Sequence, residues 1–275
     1  MSILKKNRLI VHGAALISSI FIIVSIAASE TIIVPSNVNT TIAKALFSAK
    51  SGDTVIVENG VYGEKVRVKP GVFLKARSQL KSILDGNGKG PVVTLEGNAG
   101  ICGFEVRSGT IGVTSNNIDN AIIQCRITGM TESGISCSGQ LPKIEDNIIV
   151  YNKGSGIVAW NIQSSASSIN HNTIAYNANN GVAVGGNSIV ALENNIIAFN
   201  QRLGLKVSEE TVTLHLLKNV FFQNGSMSYI IKMEGNFTCD PKFVEPKKMQ
   251  FSMQPDSPCK HKGSNDEDPG ARGGI

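Results

Sequence analysis

The middle of the chain repeats one pattern three times: IEDNIIVYNKGSGIVAW at 144–160, INHNTIAYNANNGVAV at 169–184 and LENNIIAFNQRLGLKV at 192–207. Each copy has an Asn between two short apolar runs, a second Asn five residues later, and a Gly that opens a third apolar run. The Gly recurs in steps of 22, 22, 25 and 23 residues, at Gly112, Gly134, Gly156, Gly181 and Gly204. A period of this size indicates a repeat fold in which each unit stacks on the next.

The apolar runs of each repeat are short and alternate in polarity, which is typical of β-strands. Gly and Asn separate the runs and suit tight corners. No helical pattern lies between the runs, so three strands per repeat form one coil that pairs with the coils before and after it. Six regular coils span 101–225, and about three more precede them. The sequence therefore predicts an all-β fold, a single parallel β-helix of about nine coils.

Asparagine recurs at one corner of four successive coils, at Asn147, Asn172, Asn195 and Asn219. An inward Asn at a corner can bond its own backbone and the amide of the next Asn, which satisfies groups that would otherwise be buried and unpaired. Earlier coils carry other residues in this register. We therefore predict an asparagine ladder in the second half of the β-helix only.

The ends of the repeat region carry further recognisable segments. TIAKAL at 41–46 predicts a short amphipathic helix, and the segments that follow it and close the chain are SGDTVIV at 51–57, GVYGE at 60–64, KPGVFL at 69–74, DPKF at 240–243, DSP at 256–258 and DPGA at 268–271. Their order resembles the pectate-lyase-like superfamily, in particular its members with carbohydrate-binding-and-sugar-hydrolysis repeats. The resemblance implies a right-handed parallel β-helix with an N-terminal capping helix, an irregular C-terminal cap and a polysaccharide partner.

Residues 1–29 predict an export signal, because basic residues precede an apolar run at 9–27 and small residues precede Glu30. The apolar run is almost long enough to span a bilayer, so an uncleaved anchor is the alternative. Either interpretation places the rest of the chain outside the cytoplasm, as a secreted, periplasmic or cell-surface protein that contacts the membrane only through this segment. The β-helix then occupies 30–225, and 226–275 form the C-terminal cap of the same domain.

The charge distribution argues against a nucleic-acid partner. The chain has 26 basic and 21 acidic residues, and the leader alone contributes three of the five net positive charges. No basic stripe of the kind that binds phosphate backbones is visible in the rest. We also expect the protein to be a monomer.

The catalytic sets of the resembled superfamily are missing. After the recurring Gly, the outward row is Thr114, Ser136, Val158, Ala183 and Lys206, which contains no carboxylate. Paired acid–base work on sugars needs closely grouped carboxylates. The regular coils also lack the long insertions that build cleft walls. The Gly-rich nonapeptide calcium repeat is absent, so we predict no cofactor, and no motif supports calcium.

Trp160 is the only Trp, and alternation along its strand predicts that it faces outward. Its counterparts on the adjacent coils are the small residues Ser138 and Gly185, which would leave one ring face open for a sugar. The alternative is a ring folded over the loop at 161–168. We predict that Trp160, Ser136 and Lys206 contact a polysaccharide.

Other residues have simpler interpretations. Tyr151, Tyr176 and Phe199 share one register and are predicted to stack inside the coil. Cys239 and Cys259 flank the C-terminal cap and could form a disulfide in an exported protein, or remain free.

Glu105 and Arg126 occupy equivalent outward positions on adjacent coils, which indicates a surface ion pair worth less than about 1 kcal/mol.

We therefore predict an exported β-helix that binds polysaccharide without the standard catalytic set. The first alternative is a polysaccharide lyase or other sugar-processing enzyme with Lys206, Arg107, Arg126 and Glu132 as a nonstandard proton-transfer set, acting on an acidic polysaccharide. The second is a structural envelope protein.

Overall fold

The computed structural model describes residues 29–163, 168–225 and 234–272. Residues 1–28 of the predicted leader lie outside the described residues. Both ends of the predicted C-terminal cap, 226–233 and 273–275, also lie outside them. Within the described ranges, no helix is long and apolar enough to cross a bilayer.

Short strands dominate the described chain. In chain order the elements are β1 Thr31–Val34, α1 Ile42–Ser48, β2 Thr54–Val57, β3 Gly60–Tyr62, β4 Val66–Val68, β5 Phe73–Ala76, β6 Ser82–Asp85, β7 Pro91–Leu95, β8 Gly100–Cys102, β9 Glu105–Arg107, β10 Ile111–Ser115, β11 Ala121–Ile123, β12 Arg126–Thr128, β13 Ser133–Ser138, β14 Lys143–Glu145, β15 Ile148–Val150, β16 Ser155–Trp160, β17 Ser168–Asn170, β18 Thr173–Ala175, β19 Val182–Gly185, β20 Ile189–Glu193, β21 Ile196–Ala198, β22 Leu205–Val207, β23 Thr213–Leu217, β24 Val220–Phe222, β25 Phe243–Glu245 and β26 Gln250–Met253. Short 3-10 helices occupy Pro246–Lys248 and Ser264–Asp266.

Three long parallel sheets wind around one core. Sheet A has the order β1-β2-β5-β8-β11-β14-β17-β20-β23, sheet B the order β3-β6-β9-β12-β15-β18-β21-β24, and sheet C the order β4-β7-β10-β13-β16-β19-β22. Each complete coil contributes one strand to each sheet, which confirms the predicted parallel β-helix with three strands per coil. Sheets of nine, eight and seven strands correspond to about eight turns, one fewer than the sequence spacing suggested, because the end coils are incomplete.

The core is the interior of the coil. Val113, Ile135, Ile157, Val182 and Leu205 are fully buried, as their position after the recurring Gly predicted. Each fully buried aliphatic side chain stabilises the fold by roughly 1.5–3 kcal/mol. The inward placement of this row turns the alternate residues of sheet C outward, where the candidate site lies.

Helix α1 closes the N-terminal end of the coil. Thr41 caps the helix, its side chain accepting a hydrogen bond from the Lys44 amide at 3.2 Å. The carboxylate of Glu64 accepts two more helix amides, from Ile42 and Ala43. Ile42, Ala45 and Leu46 are buried against the core, so the predicted amphipathic capping helix is confirmed.

The predicted asparagine ladder is present at the corner between sheets A and B. Asn172 is representative: its Oδ1 accepts from the backbone N and the Nδ2 of Asn147, at 2.9 and 3.0 Å. Its Nδ2 donates to the carbonyl oxygen of Ile144 at 2.9 Å and reaches Oδ1 of Asn195 at 3.1 Å. The ladder continues through Asn219 to Asn236, so it lies in the second half of the β-helix as expected.

A second ladder follows the corner between sheets B and C. It consists of Asn152, Asn177, Asn200 and Asn224, with Nδ2 to Oδ1 distances of 2.9 Å between neighbours. The sequence shows this register clearly, but its role as a ladder was not predicted.

The predicted inward stacking of Tyr151, Tyr176 and Phe199 is wrong. The three residues adopt left-handed backbone angles, with φ of 54°, 55° and 57°, and this breaks the simple alternation of the strand before them. Their rings stack outside the coil, with centroid distances of 5.3 and 4.8 Å. They belong to a second hydrophobic cluster, which Phe243 and Phe251 complete from the C-terminal segment.

The C-terminal segment, residues 234–272, lies over the outer face of sheet B. Apart from Thr173 and the partly buried Phe222, the outward residues of that face are apolar and buried from β15 to β24: Ile148, Val150, Ala175, Ile196, Ala198 and Val220. A disulfide joins Cys239 to Cys259 within this segment, with Cα atoms 5.6 Å apart. The second core therefore holds the cap to the side of the β-helix.

Candidate functional site

The outer face of sheet C carries a groove of about 450 Å³. Most of its lining side chains are hydroxyl or amide groups, and the full set is Arg67, Thr94, Leu95, Glu96, Gly97, Thr114, Ser115, Asn116, Ser136 and Ser138. We call this feature the sheet C groove.

One row of outward residues crosses the floor of the groove. Parallel register places Arg67 beside Thr94, Thr94 beside Thr114, and Thr114 beside Ser136. The hydroxyl of Thr114 lies 3.3 Å from that of Thr94. The same row continues through Val158 and Ala183 to Lys206. At ~4.8 Å per strand the row is about 29 Å long.

An ion pair closes one end of the groove. Arg67 Nη1 lies 2.8 Å from Glu96 Oε1, and both side chains are partly exposed. Such a pair contributes less than about 1 kcal/mol to stability, but it neutralises the two charges of the groove lining.

Trp160 lies at the other end, beside Ser138 in the register of β13 and β16. Its side chain is 44% exposed, as the strand alternation predicted. One edge of the ring covers Gly185 on the next strand, where a Cβ atom would come within 2.1 Å of Trp160 Cζ3. The alternative position, over the loop at 161–168, involves residues 164–167, which lie outside the described residues.

The other predicted contact residues share this face. Ser136 is half-buried in the groove floor, and Lys206 is exposed on β22, three strands further along sheet C. Within the described ranges Lys206 forms no ion pair. The structure thus places Trp160, Ser136 and Lys206 on one side of one sheet.

The structure does not bring together the four residues of the proposed proton-transfer set. Arg107 and Arg126 project from sheet B, whereas Lys206 projects from sheet C. Glu132 is exposed in the turn before β13, at the edge of sheet C but outside the groove lining. A coil has three separate outer faces, so side chains that project from different sheets point in different directions. The prediction that these four residues form one proton-transfer set is therefore wrong.

Both arginines are engaged on sheet B. Arg126 Nε donates to Glu105 Oε2 at 3.0 Å, and Arg107 Nε donates to Asp85 Oδ2 at 2.8 Å. The predicted Glu105–Arg126 pair is confirmed, but Glu105 is only 8% exposed. Its loss would cost more than that of a surface pair, because a buried charge would lose its partner. The hydrogen bond to Asp85 raises the pKa of Arg107.

A second polar cluster holds the C-terminal segment and was not predicted. Arg272 contacts Asp146 and Glu145, and both Arg272 and His171 lie close to Glu267. His171 Nε2 is 3.3 Å from Glu267 Oε2, and neither ring nitrogen has a hydrogen-bond partner among the described residues. Burial, and then the nearby Arg272, lower the pKa of His171.

A sequence signal for this covering segment did exist. Ile148, Val150 and Ile196 stand at outward strand positions and yet are apolar. Apolar residues on both faces of a strand indicate that both faces are covered. In the described parts of the chain, no group of three or more His, Cys, Asp or Glu side chains is arranged to hold a metal ion.

Comparisons with known proteins agree with this architecture. The family described as right handed beta helix region matches residues 92–241, which is more than half of the chain. A search of curated protein sequences found no match.

Solved structures with a similar fold include three lyases. An alginate lyase from Paenibacillus sp. str. FPU-7 has a TM-score of 0.55 at 14% identity, covering 72% of this chain and 78% of the lyase. Pectate lyase Pel9A has a TM-score of 0.55 at 11% identity, covering 90% and 97%. A mannuronic acid specific polysaccharide family 6 lyase from human gut microbiota has a TM-score of 0.51 at 14% identity, covering 71% and 54%. At these identities the likeness establishes the fold and not the activity.

Proposed function

This protein belongs to the right-handed β-helix family, and on that premise we propose that it binds polysaccharide in the sheet C groove, with Trp160 as the main contact. The observation that carries the proposal is the juxtaposition of a long polar groove with one half-exposed Trp ring at its end. Sugar sites combine these two features, since hydroxyl groups need polar partners and the C–H face of a sugar ring stacks on an aromatic ring.

The length and composition of the groove support a chain ligand. The groove crosses the four parallel strands from β4 to β13, and its outward row continues over three further strands to Lys206. Hydroxyl groups of Thr94, Thr114 and Ser136 follow one another along it, and each can donate and accept a hydrogen bond. A polymer of hydroxyl-bearing units fits such a row better than a compact small molecule does.

The same groove favours binding over acid–base catalysis. The described residues that line the groove include one carboxylate, that of Glu96, and it is paired with Arg67. Hydrolysis of a glycosidic bond by the common route uses two carboxyl groups that face each other across the bond. The solved structures of similar fold include lyases, so lyase activity is the second candidate, with Lys206 as the exposed side chain on this face that would act as its base.

We also propose that the protein acts outside the cytoplasm. The Cys239–Cys259 disulfide supports this location, because such bonds persist in oxidising compartments. The export signal predicted at residues 1–29 agrees with it.

The test is electrophoresis of the purified protein in native gels that contain single polysaccharides, combined with assays for unsaturated sugars and reducing ends. We expect retention without product. Trp160→Ala should weaken retention by about 30-fold, as expected for truncation of a central aromatic contact.

Phe47→Ala is the matched control, because Phe47 is an aromatic residue of α1 that is 85% exposed and is not among the residues that line the groove. It should leave retention unchanged. Unsaturated product would replace the binding proposal by the lyase candidate. Neither retention nor product on any polysaccharide would favour a structural envelope protein.

A further inference from the structure

We propose that the Trp160 end of the groove takes an uncharged sugar unit and that Glu209 is the residue that selects it. This inference rests on the proposed polysaccharide binding and adds the chemical class of the ligand. Three residues form the Trp160 subsite: Trp160, Gly185 and Glu209.

The subsite exists because position 185 has no side chain. Gly185 is paired with Trp160 across β16 and β19. A Cβ atom at Gly185 would lie 2.1 Å from Trp160 Cζ3 and 3.0 Å from Glu209 Oε2. The edge of the indole ring and the carboxylate therefore meet above Gly185, and any larger residue there would force them apart. A carboxylate at a ring edge is favourable, since the edge of an aromatic ring carries partial positive charge.

The backbone holds the Glu209 carboxylate in this position. Its Oε2 accepts a hydrogen bond from the amide of Gly186 at 2.5 Å, and Thr211 Oγ1 lies 3.3 Å from the carbonyl oxygen of Gly186. The other oxygen, Oε1, receives no hydrogen bond from any described residue. The hydrogen bond to Oε2 thus orients the carboxylate above Gly185, and Oε1 is available to accept a hydrogen bond from a hydroxyl group of a ligand stacked on Trp160.

The charge of the site selects the ligand. Between the Arg67–Glu96 pair and Trp160, the described side chains that line the groove are uncharged. Glu209 is the charge beside the ring itself. A neutral sugar unit gains a charge-assisted hydrogen bond from it. A uronate unit stacked on the same ring would bring a second carboxylate close to that of Glu209, and two like charges close together repel each other.

Lys206 carries a positive charge, which would favour a uronate unit over a neutral one. It lies on β22, two strands beyond the strand of Trp160, so the two rows are about 10 Å apart at ~4.8 Å per strand. Exposed charges at that distance are largely screened at physiological salt. The carboxylate at the ring therefore outweighs the lysine at this subsite.

The test compares neutral glycans (glucan, mannan, xylan and galactan) with polygalacturonate and alginate in native affinity gels of the full protein. We expect at least one neutral glycan to bind about tenfold more tightly than either polyuronate. Glu209→Gln should lower neutral-glycan affinity about fivefold, through loss of the charged acceptor, and raise polyuronate affinity. Glu210→Gln, an equal charge change at the next residue, should alter neither.

Gly185→Ala provides a second variant, which changes neither Trp160 nor Glu209 in the sequence. Its methyl group should displace the ring and weaken neutral-glycan retention without unfolding the protein, which circular dichroism would verify. Preferential binding of a polyuronate that Trp160→Ala abolishes would overturn the neutral-ligand inference and leave the proposed function intact. If none of these glycans retains the unmodified protein, the proposed function itself would be overturned.

Discussion

Arg272, close to the end of the chain, forms a two-point ion pair with Asp146, which lies 126 residues earlier at a corner of the β-helix. Nε lies 2.8 Å from Asp146 Oδ1, and Nη2 lies 2.9 Å from Oδ2. The Asp146 side chain is only 8% exposed, so solvent screens the pair less than it would on the open surface. The hydrogen bonds to Asp146 raise the pKa of Arg272. This contact fastens the end of the C-terminal segment to the side of the coil.

Arg272→Gln should lower the free energy of unfolding by about 1–3 kcal/mol, since it removes charge-assisted hydrogen bonds and leaves a buried carboxylate without its partner. Urea denaturation followed by circular dichroism measures the change. Arg202→Gln is the control, because Arg202 is exposed and has no ion pair within the described residues. Equal stability of the two variants would show that the Asp146 contact does not hold the segment.

Stability should fall as the pH drops from about 6.5 towards 5, and His171 is the expected cause. Its folded-state pKa lies below the ordinary value of 6.5, because burial and Arg272 disfavour the charged ring more than Asp146, Glu267 and Glu145 favour it. The unfolded chain therefore binds the proton first, and the stabilisation present above pH 6.5 is lost on acidification.

Urea midpoints between pH 7.5 and 5 test the role of His171. In His171→Asn this decline should be smaller, and Asn suits the left-handed backbone at that position, with φ of 50°. His215→Asn, a change at an exposed histidine on sheet A, should keep the wild-type decline. An unchanged pH dependence in His171→Asn would assign the effect to another group.

Asn172→Ala should destabilise the β-helix by about 3–5 kcal/mol, because several buried hydrogen bonds lose a partner at once. Asn172 is fully buried and links Asn147 to Asn195 within the first ladder. Thermal unfolding checks the effect. The matched control is Asn187→Ala, at an exposed turn position, which should change stability by less than about 0.5 kcal/mol. Similar losses in both variants would contradict a structural role for the ladder.

Reduction of the Cys239–Cys259 disulfide should lower the stability of the cap by about 3 kcal/mol, the value expected for a loop of this length. Denaturant unfolding with and without reductant measures it, and the double variant Cys239→Ser/Cys259→Ser should be insensitive to reductant. No difference between oxidised and reduced protein would show that the disulfide does not stabilise the cap.

Burial raises the pKa of Cys125 and Cys137 to about 12, so these thiols should stay unreactive in the native protein.

The repeat in the sequence was sufficient to predict the coil and the inward rows. Residues such as Ile157 and Val182 recur at a fixed distance after Gly, and period-two alternation then assigns each neighbour to a face. Alternation gave the wrong face for Tyr151 and Tyr176. Each of these residues precedes a corner Asn and has a left-handed backbone conformation, which directs its side chain out of the coil. Alternation along a strand does not include that change of backbone conformation.

The site divides in the same way. Outward positions on neighbouring strands, such as Trp160 on β16 and Ser136 on β13, follow from the alternation along each strand. The sequence alone therefore determined the β-helix, its ladder and the face that carries the groove. Only the tertiary structure decided that Arg107 and Arg126 lie on a different face from Lys206, that Glu209 meets the ring above Gly185, and that Arg272 reaches Asp146. Coil periodicity is a short-range property of the chain, whereas these contacts depend on how separate coils and the C-terminal segment stack in space.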